Sequence, residues 1–205
     1  MTAVLEIVGL NKSFGGVKVI DDLSVTLHEG EALGIIGPNG AGKTTMFNLI
    51  SGVYRPDGGR VLYKAKDITR QSRHARCREG IGRTFQIPKP FGDMSVFENV
   101  LVCAAYGRGM RERASYQRCV ETLELTGLAA KANRQAGALP LLDRKRLELA
   151  RALAGDPSVL LLDEIAGGLT EAEVEALIQT VKDLHKEGIS IIWICLLYTS
   201  PSPRD

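Results

Sequence analysis

The pattern of apolar and polar positions divides the chain into strand-like and helix-like segments. Alternating or short apolar runs predict strands at residues 4–8, 19–27, 31–36, 60–63, 159–162 and 189–194. Longer segments that end at glycine or carry an apolar stripe predict helices at residues 42–50, 95–106, 111–125, 143–154 and 170–187. Strands therefore alternate with helices, and we expect an α/β protein with an all-helical insert at about residues 94–155.

Two features of this pattern make more specific predictions. The runs at 31–36, 159–162 and 189–194 are apolar almost throughout, which is typical of buried strands. Thr170 and Glu173 stand three positions apart, which predicts a capping box at the start of the last helix. That helix would pack through one apolar stripe, formed by Val174, Leu177, Ile178, Val181 and Leu184.

A glycine-rich segment, Gly-Pro-Asn-Gly-Ala-Gly-Lys-Thr at residues 37–44, joins the third predicted strand to the first predicted helix. This is the context in which GxxxxGK[ST] forms a phosphate-binding loop. Glycines let successive backbone N–H groups point at an anion, and the helix N-terminus adds its positive dipole end. The pattern predicts an ATP site, against the alternative of a chance glycine-rich turn. Its binding residues would be Gly37, Pro38, Asn39, Gly40, Ala41, Gly42, Lys43, Thr44 and Thr45.

Four side chains are candidates for the chemistry of this site. Lys43 would place its ammonium between the terminal phosphates, and the Thr44 hydroxyl would ligate Mg²⁺. Asp163 and Glu164 follow an apolar strand, at the edge of the sheet where ligands bind in open α/β folds. Asp163 is predicted to hold Mg²⁺, and Glu164 to orient and deprotonate the attacking water. A merely polar strand end is the alternative for these two acids.

With these motifs in place, the chain resembles the ATP-binding subunits of ABC transporters over residues 4–194. The resemblance implies one domain at residues 1–194, with a P-loop NTPase core sheet, an N-terminal β subdomain and the helical insert. It also implies roles for two otherwise nondescript residues. Gln86, in Gly-Arg-Thr-Phe-Gln at 82–86, would contact the Mg²⁺ and the attacking water. Phe14 would stack on adenine, although a core phenylalanine looks the same in a sequence.

Within that family the chain is most similar to the branched-chain amino acid importer type, through residues 11–16, 94–100 and 146–153. The similarity implies an ATPase that energises import of branched-chain or related amino acids at the cytoplasmic face of the plasma membrane. The implied partners are membrane permease subunits, a second ABC ATPase subunit and, for an importer, a solute-binding protein. Another cargo, a regulatory module without transport and a P-loop kinase are the alternatives.

Composition adds little to this picture. The formal net charge of +2 gives no argument for a nucleic-acid partner. The arginine-rich segments 70–83 and 108–118 are predicted to be solvated helix faces. The cysteines are widely spaced without a CxxC pair, which argues against a zinc site and a disulfide framework.

One segment departs from the family pattern at the place of its Leu-Ser-Gly-Gly-Gln signature. That signature donates hydroxyl and N–H groups to the γ-phosphate held by the opposite subunit. Here the residues are Leu139, Pro140, Leu141, Leu142 and Asp143. Pro140 has no N–H to donate. Asp143 would either face the phosphate with like charge or complement a helix dipole as part of an N-terminal cap. We therefore expect an asymmetric dimer in which a partner supplies the intact signature.

The last segment of the chain departs from the family in a different way. Residues 195–205 resemble the translation of a DNA sequencing adapter, and we expect them to be a non-native tail. The family places a switch histidine after this last strand, and none of His28, His74 and His185 fits that position. The expectation is that the chain binds nucleotide but hydrolyses it poorly.

Overall fold

The computed structural model of the protein describes residues 2–107 and 111–195, without the side chain of Cys195. Its strands are β1 (Ala3–Phe14), β2 (Val17–His28), β3 (Ala32–Ile36), β4 (Gly58–Tyr63), β5 (Lys66–Asp67), β6 (Ile81–Arg83), β7 (Val159–Asp163) and β8 (Ser190–Cys195). Its helices are α1 (Lys43–Ile50), α2 (Arg73–Glu79), α3 (Val96–Gly107), α4 (Glu112–Leu125), α5 (Leu141–Ala154) and α6 (Glu171–Lys186). Short 3₁₀ helices at Ala129–Lys131 and Ala136–Ala138 lie between α4 and α5.

The strands form two sheets with different pairing. An antiparallel sheet has the order β2-β1-β4-β5, and a parallel sheet has the order β3-β8-β7-β6. In the parallel sheet β8 lies between β3 and β7, with Ile36 opposite Cys195 and Asp163 opposite Ile194. The carboxyl ends of β3 and β7 therefore reach the same edge of the sheet, which is where open α/β folds bind ligands.

The helices α3, α4 and α5 form a separate layer with its own apolar cluster. The cluster is built from buried residues on all three helices and on the connection between them, namely Val96, Val100, Ala104, Cys119, Leu123, Leu128, Ala136, Leu139, Leu147, Ala150 and Ala154. The opposite face of α5 contributes Leu149 and Leu153 to a second cluster with β7 and α6. Helix α5 thus connects the helical layer to the parallel sheet, so a residue on α5 can contact both.

The predicted α/β class is confirmed, and so is the capping box at α6. Thr170 accepts from the Glu173 N–H while the Glu173 carboxylate accepts from the Thr170 N–H. The prediction that 31–36 forms a buried strand is wrong. β3 pairs only with β8 among the described residues, and Ile36 is 62% exposed. The short elements β5, α2 and β6 were not predicted.

Some expectations fall on residues outside the described part of the chain. The proposed non-native tail lies there, apart from the backbone of Cys195 in β8, and so do residues 108–110 of the second arginine-rich segment. Within residues 2–107 and 111–195, none of the helices is both long and apolar enough to cross a membrane.

Candidate nucleotide-binding site

The loop between β3 and α1 has the backbone that its glycines predict. Gly40 and Gly42 both have φ of 82°, in the left-handed region that only glycine adopts without strain. Gly42 is also the residue from which α1 begins, and a Cβ there would lie 2.9 Å from the carbonyl oxygen of Val19. A glycine at position 42 is therefore required both by the turn and by the close approach of β2.

The side chain of Lys43 turns back toward the start of the glycine-rich loop. Its side chain is buried, and Nζ donates to the carbonyl oxygens of Gly37 at 2.6 Å and Pro38 at 2.8 Å. The first turn of α1 carries no acidic residue. The ammonium group and the helix N-terminus therefore add their positive potentials at one place, where they would attract an anion such as a phosphate group.

Gln86 and Glu164 line a cavity together with the residues of this loop. Nε2 of Gln86 donates to the Glu164 carboxylate at 2.6 Å. Glu164 has φ of 46°, a strained conformation for a residue with a side chain, directly after β7. The cavity has a volume of about 340 Å³, and its lining is Val19, Asn39, Gly40, Ala41, Gly42, Lys43, Thr44, Thr45, Gln86 and Glu164. The structure thus brings the predicted loop, base and glutamine together.

Asp163 ends β7, directly before Glu164, and is only 2% exposed. Its Oδ2 accepts from Arg83 at 2.9 Å, and its backbone N–H donates to the Thr84 hydroxyl at 3.2 Å. Its Oδ1 is buried and has no hydrogen-bond partner within the described ranges. A buried carboxylate oxygen without a donor is suited to a divalent cation, directly or through water.

The candidate magnesium site therefore contains few protein ligands. Thr44 and Gln86 line the cavity, and Asp163 directly precedes Glu164, which lines it as well. In the part of the chain that the structure describes, no three His, Cys, Asp or Glu side chains are placed to hold a metal ion together. This donor set fits Mg²⁺, which is bound in nucleotide sites by one or two protein oxygens, phosphate oxygens and water.

The first arginine-rich segment is only partly a solvated face, and the prediction is wrong for Arg76 and Arg83. Arg76 is 1% exposed and donates to the carbonyl oxygens of Leu49 and Ile50 at the end of α1. Arg83 is buried in its ion pair with Asp163. Their acceptors come from distant parts of the chain, so charge density alone did not reveal them.

Helix α5 holds the segment that carries Gln86. Three charged residues spaced along one face of α5, Lys145, Glu148 and Arg151, contact that segment. Nζ of Lys145 donates to the Gln86 carbonyl at 2.6 Å, and Arg151 donates to the Lys89 carbonyl at 2.9 Å. Burial lowers the pKa of Lys145 and raises the pKa of the Glu148 carboxyl, which lies near the backbone N–H groups of Phe85 and Lys89. The sequence did not indicate this anchorage.

Phe14 is a surface residue, and the alternative of a core phenylalanine is wrong. Its ring is 42% exposed and contacts Tyr54 edge-on, with ring centroids 5.3 Å apart. It lies at the end of β1, opposite Val17 at the start of β2. Two residues further along β2, Val19 lines the cavity. Phe14 is therefore available for contact with a ligand.

The altered signature segment forms the start of α5. Pro140 is its N-cap residue, and Leu141, the first residue of the helix, is 42% exposed. Asp143 is 2% exposed and pairs with Lys131 at 2.5 Å and with Arg146 at 3.9 Å. Asp143 therefore does not face outward toward a phosphate. It lies in the first helical turn, where its charge complements the dipole.

The phosphate loop, the β3-β8-β7 strand order and the paired acids at the sheet edge together define a P-loop NTPase. The family model for ABC transporters matches residues 20–167. A crystal structure of the ADP conformation of an ATP-binding cassette of an ABC transporter is similar with a TM-score of 0.86 at 30% identity, covering 95% of this chain and 81% of that one.

Two relatives are similar to this chain in sequence. The high-affinity branched-chain amino acid transport ATP-binding protein LivG of Salmonella typhimurium is 36% identical, in an alignment that covers 89% of this chain and 77% of LivG. The lipopolysaccharide export system ATP-binding protein LptB of Haemophilus influenzae is 31% identical over 190 residues, which cover 93% of this chain and 79% of LptB. The chain belongs to the ATP-binding subunits of ABC transporters.

Proposed function

We propose that this chain binds Mg²⁺-ATP in the cavity between the phosphate loop and Glu164. The observation that carries the proposal is the convergence of Lys43, Thr44, Gln86 and Glu164 on one cavity from three separate segments of the chain. The N–H groups at the start of α1 and the Lys43 ammonium would hold the terminal phosphates. Phe14 would stack on the adenine from the tip of the β1–β2 hairpin.

The same residues support hydrolysis of the bound nucleotide. The Glu164 carboxylate, held by Gln86 at 2.6 Å, would accept a proton from the attacking water. Thr44, Gln86 and Asp163 would hold Mg²⁺, which when bound neutralises charge on the phosphate oxygens. Glu164 has a strained backbone, and its side chain lines the cavity together with the loop.

We further propose that hydrolysis energises import of branched-chain or related amino acids. The 36% identity to LivG supports this cargo, while the 31% identity to LptB supports another cargo as the second candidate. The chain would dock on permease subunits at the cytoplasmic face of the plasma membrane. It would pair with a different ABC ATPase, whose intact signature would complete this site. A second copy of this chain would place Pro140 there instead, and Pro140 cannot donate an N–H.

Nucleotide binding is the first test of the proposal. We expect the chain to bind ATP with Mg²⁺, and Lys43→Met to weaken binding by about 10- to 100-fold, the loss typical of a charge-assisted contact. Isothermal titration calorimetry measures both dissociation constants. Lys186→Met, at an exposed ion pair on α6, is the control and should bind as the wild type does. Equal affinity in the wild type and Lys43→Met would contradict the site.

The transport proposal needs a separate test with partner proteins. We expect the chain to co-purify with a permease and a second ATPase, and turnover to rise when a solute-binding protein loaded with a branched-chain amino acid is added. Stimulation by another cargo would support the second candidate function. Absence of a permease would favour a regulatory module, and two equivalent ATP sites in a heterodimer would refute the asymmetric dimer.

A further inference from the structure

Arg83 is a buried charge that the proposed chemistry leaves without a role. It ends β6, next to β7, and its side chain is 7% exposed while that of Asp163 is 4% exposed. A guanidinium ion removed from water in this way is costly unless its donors are satisfied by well-placed acceptors. The acceptors of Arg83 therefore show what the residue stabilises.

These acceptors lie on two elements of the candidate site. One terminal nitrogen, Nη1, donates to Oδ1 of Asn48 at 2.6 Å and to the Ser51 hydroxyl at 3.0 Å, both at the end of α1. The other, Nη2, donates to Oδ2 of Asp163 at 2.9 Å. Arg83 thus connects Asp163, the last residue of β7, to α1, the helix whose first residues are Lys43 and Thr44.

Two aromatic rings lie close to the guanidinium. Its Cζ lies 5.7 Å from the ring centroid of Phe47 and 5.0 Å from that of Phe85, distances at which a cation is attracted to a ring face. Phe47 belongs to α1, and Phe85 directly precedes Gln86. The fork geometry of arginine suits this place because a lysine ammonium cannot donate in two fixed directions within one plane.

The two oxygens of Asp163 consequently have different surroundings. Oδ2 is occupied by Arg83, whereas Oδ1 is buried without a donor among the described residues. We propose, resting on the proposed function, that Arg83 is a positioning residue that holds Oδ2 of Asp163 and so presents Oδ1 to Mg²⁺. Arg83 itself contacts neither nucleotide nor metal. Its effect is to keep the carboxylate in one orientation relative to Thr44.

The test separates the magnesium-dependent part of ATP binding from the rest. The measured quantity is the ratio of the ATP dissociation constant in EDTA to that in excess Mg²⁺, obtained by calorimetry without turnover. We expect Arg83→Met to lower this ratio by about tenfold, as is typical when a partner that orients a metal ligand is lost. Affinity in EDTA should stay near the wild-type value. Arg83→Lys, which keeps the charge but not the fork, should give an intermediate ratio.

Arg76→Met is the matched control. Arg76 is a buried arginine that also binds the end of α1, but its acceptors are the backbone carbonyls of Leu49, Ile50 and Thr69 rather than a carboxylate. Its loss should lower the melting temperature while leaving the ratio at the wild-type value. The pair of variants thus separates a loosened helix from a misdirected carboxylate.

Each other outcome overturns the role of Arg83. A wild-type ratio in Arg83→Met, or an equal drop in Arg76→Met, would mean that Arg83 only stabilises α1. A higher ratio in Arg83→Met would mean that Arg83 competes with the cation. If Arg83→Met does not fold, Arg83→Lys decides, and a wild-type ratio there rejects the proposal. A wild-type protein that binds ATP equally well with and without Mg²⁺ would refute the proposed magnesium site itself, and the role of Arg83 with it.

Discussion

The N-termini of α1 and α5 both carry the positive end of a helix dipole, but the chain places different residues at the two helix starts. At α1 the chain enters from a left-handed glycine, Gly42, and the first turn carries no acid. At α5 the chain enters from Pro140, and the first turn carries the buried Asp143. Both ends present the positive pole of a row of peptide dipoles. Only the α1 end borders a cavity with Lys43 in its wall.

This difference indicates which of the two N-termini can attract an anion, because an acidic side chain in the first turn neutralises the positive pole. In α5 the Asp143 carboxylate supplies the negative charge from within, and Lys131 and Arg146 balance it. In α1 no side chain of the first turn does so, which leaves the pole for a phosphate group. A substitution at the N-terminus of α1 should therefore change ligand binding, whereas a substitution at the N-terminus of α5 should change only stability.

The largest expected effect comes from adding a methyl group to the entrance of α1. Gly42→Ala combines a left-handed backbone with a Cβ placed 2.9 Å from the Val19 carbonyl oxygen. We expect it to cost about 2–4 kcal/mol of unfolding free energy, in the range of strain plus overpacking. The loop should also be displaced, so ATP affinity should fall. Urea unfolding and ATP calorimetry measure the two losses.

Gly40→Ala is the matched control for that change. Gly40 has the same φ of 82°, but an added Cβ meets no atom within 4 Å. Only the backbone strain remains, so the expected cost is about 1–2 kcal/mol. Equal costs in the two variants would show that the approach of β2 to Gly42 contributes nothing to the loop.

A smaller effect is expected at the entrance of α5. Asp143→Asn keeps the shape of the side chain but removes the charge paired with Lys131, and should cost about 1–3 kcal/mol because a buried charge-assisted hydrogen bond is lost. ATP affinity should not change, since this N-terminus is already neutralised from within. Combining it with Lys131→Met in a double-mutant cycle isolates the pair. A change in ATP affinity by Asp143→Asn alone would contradict the comparison.

Features formed by residues close together in the sequence could be predicted, whereas contacts between distant residues could not. The glycine-rich turn between β3 and α1 and the Thr170–Glu173 capping box are contiguous patterns, and the structure has the turn and the box at the predicted positions. The ion pair of Arg83 joins positions 80 apart, and Arg76 reaches carbonyls 26 and 27 positions away. No periodicity encodes such contacts, so both arginines looked like surface charges. β3 was misjudged because an apolar run does not show whether a strand has one neighbour or two.

The smallest expected effect concerns a third helix N-terminus, that of α6, which is satisfied by its own capping box. Thr170→Ala removes the hydroxyl that accepts from the Glu173 N–H, and should cost about 1 kcal/mol.

Thr180→Ala, in the interior of the same helix, is the control. Its hydroxyl donates to the Ala176 carbonyl, and alanine is the better helix former, so the expected change is within about 0.5 kcal/mol. Urea unfolding distinguishes the two. The first N–H groups of α6 are satisfied by its own capping box, so Thr170→Ala should leave ATP affinity unchanged. A loss of affinity would show that this helix N-terminus also contributes to nucleotide binding.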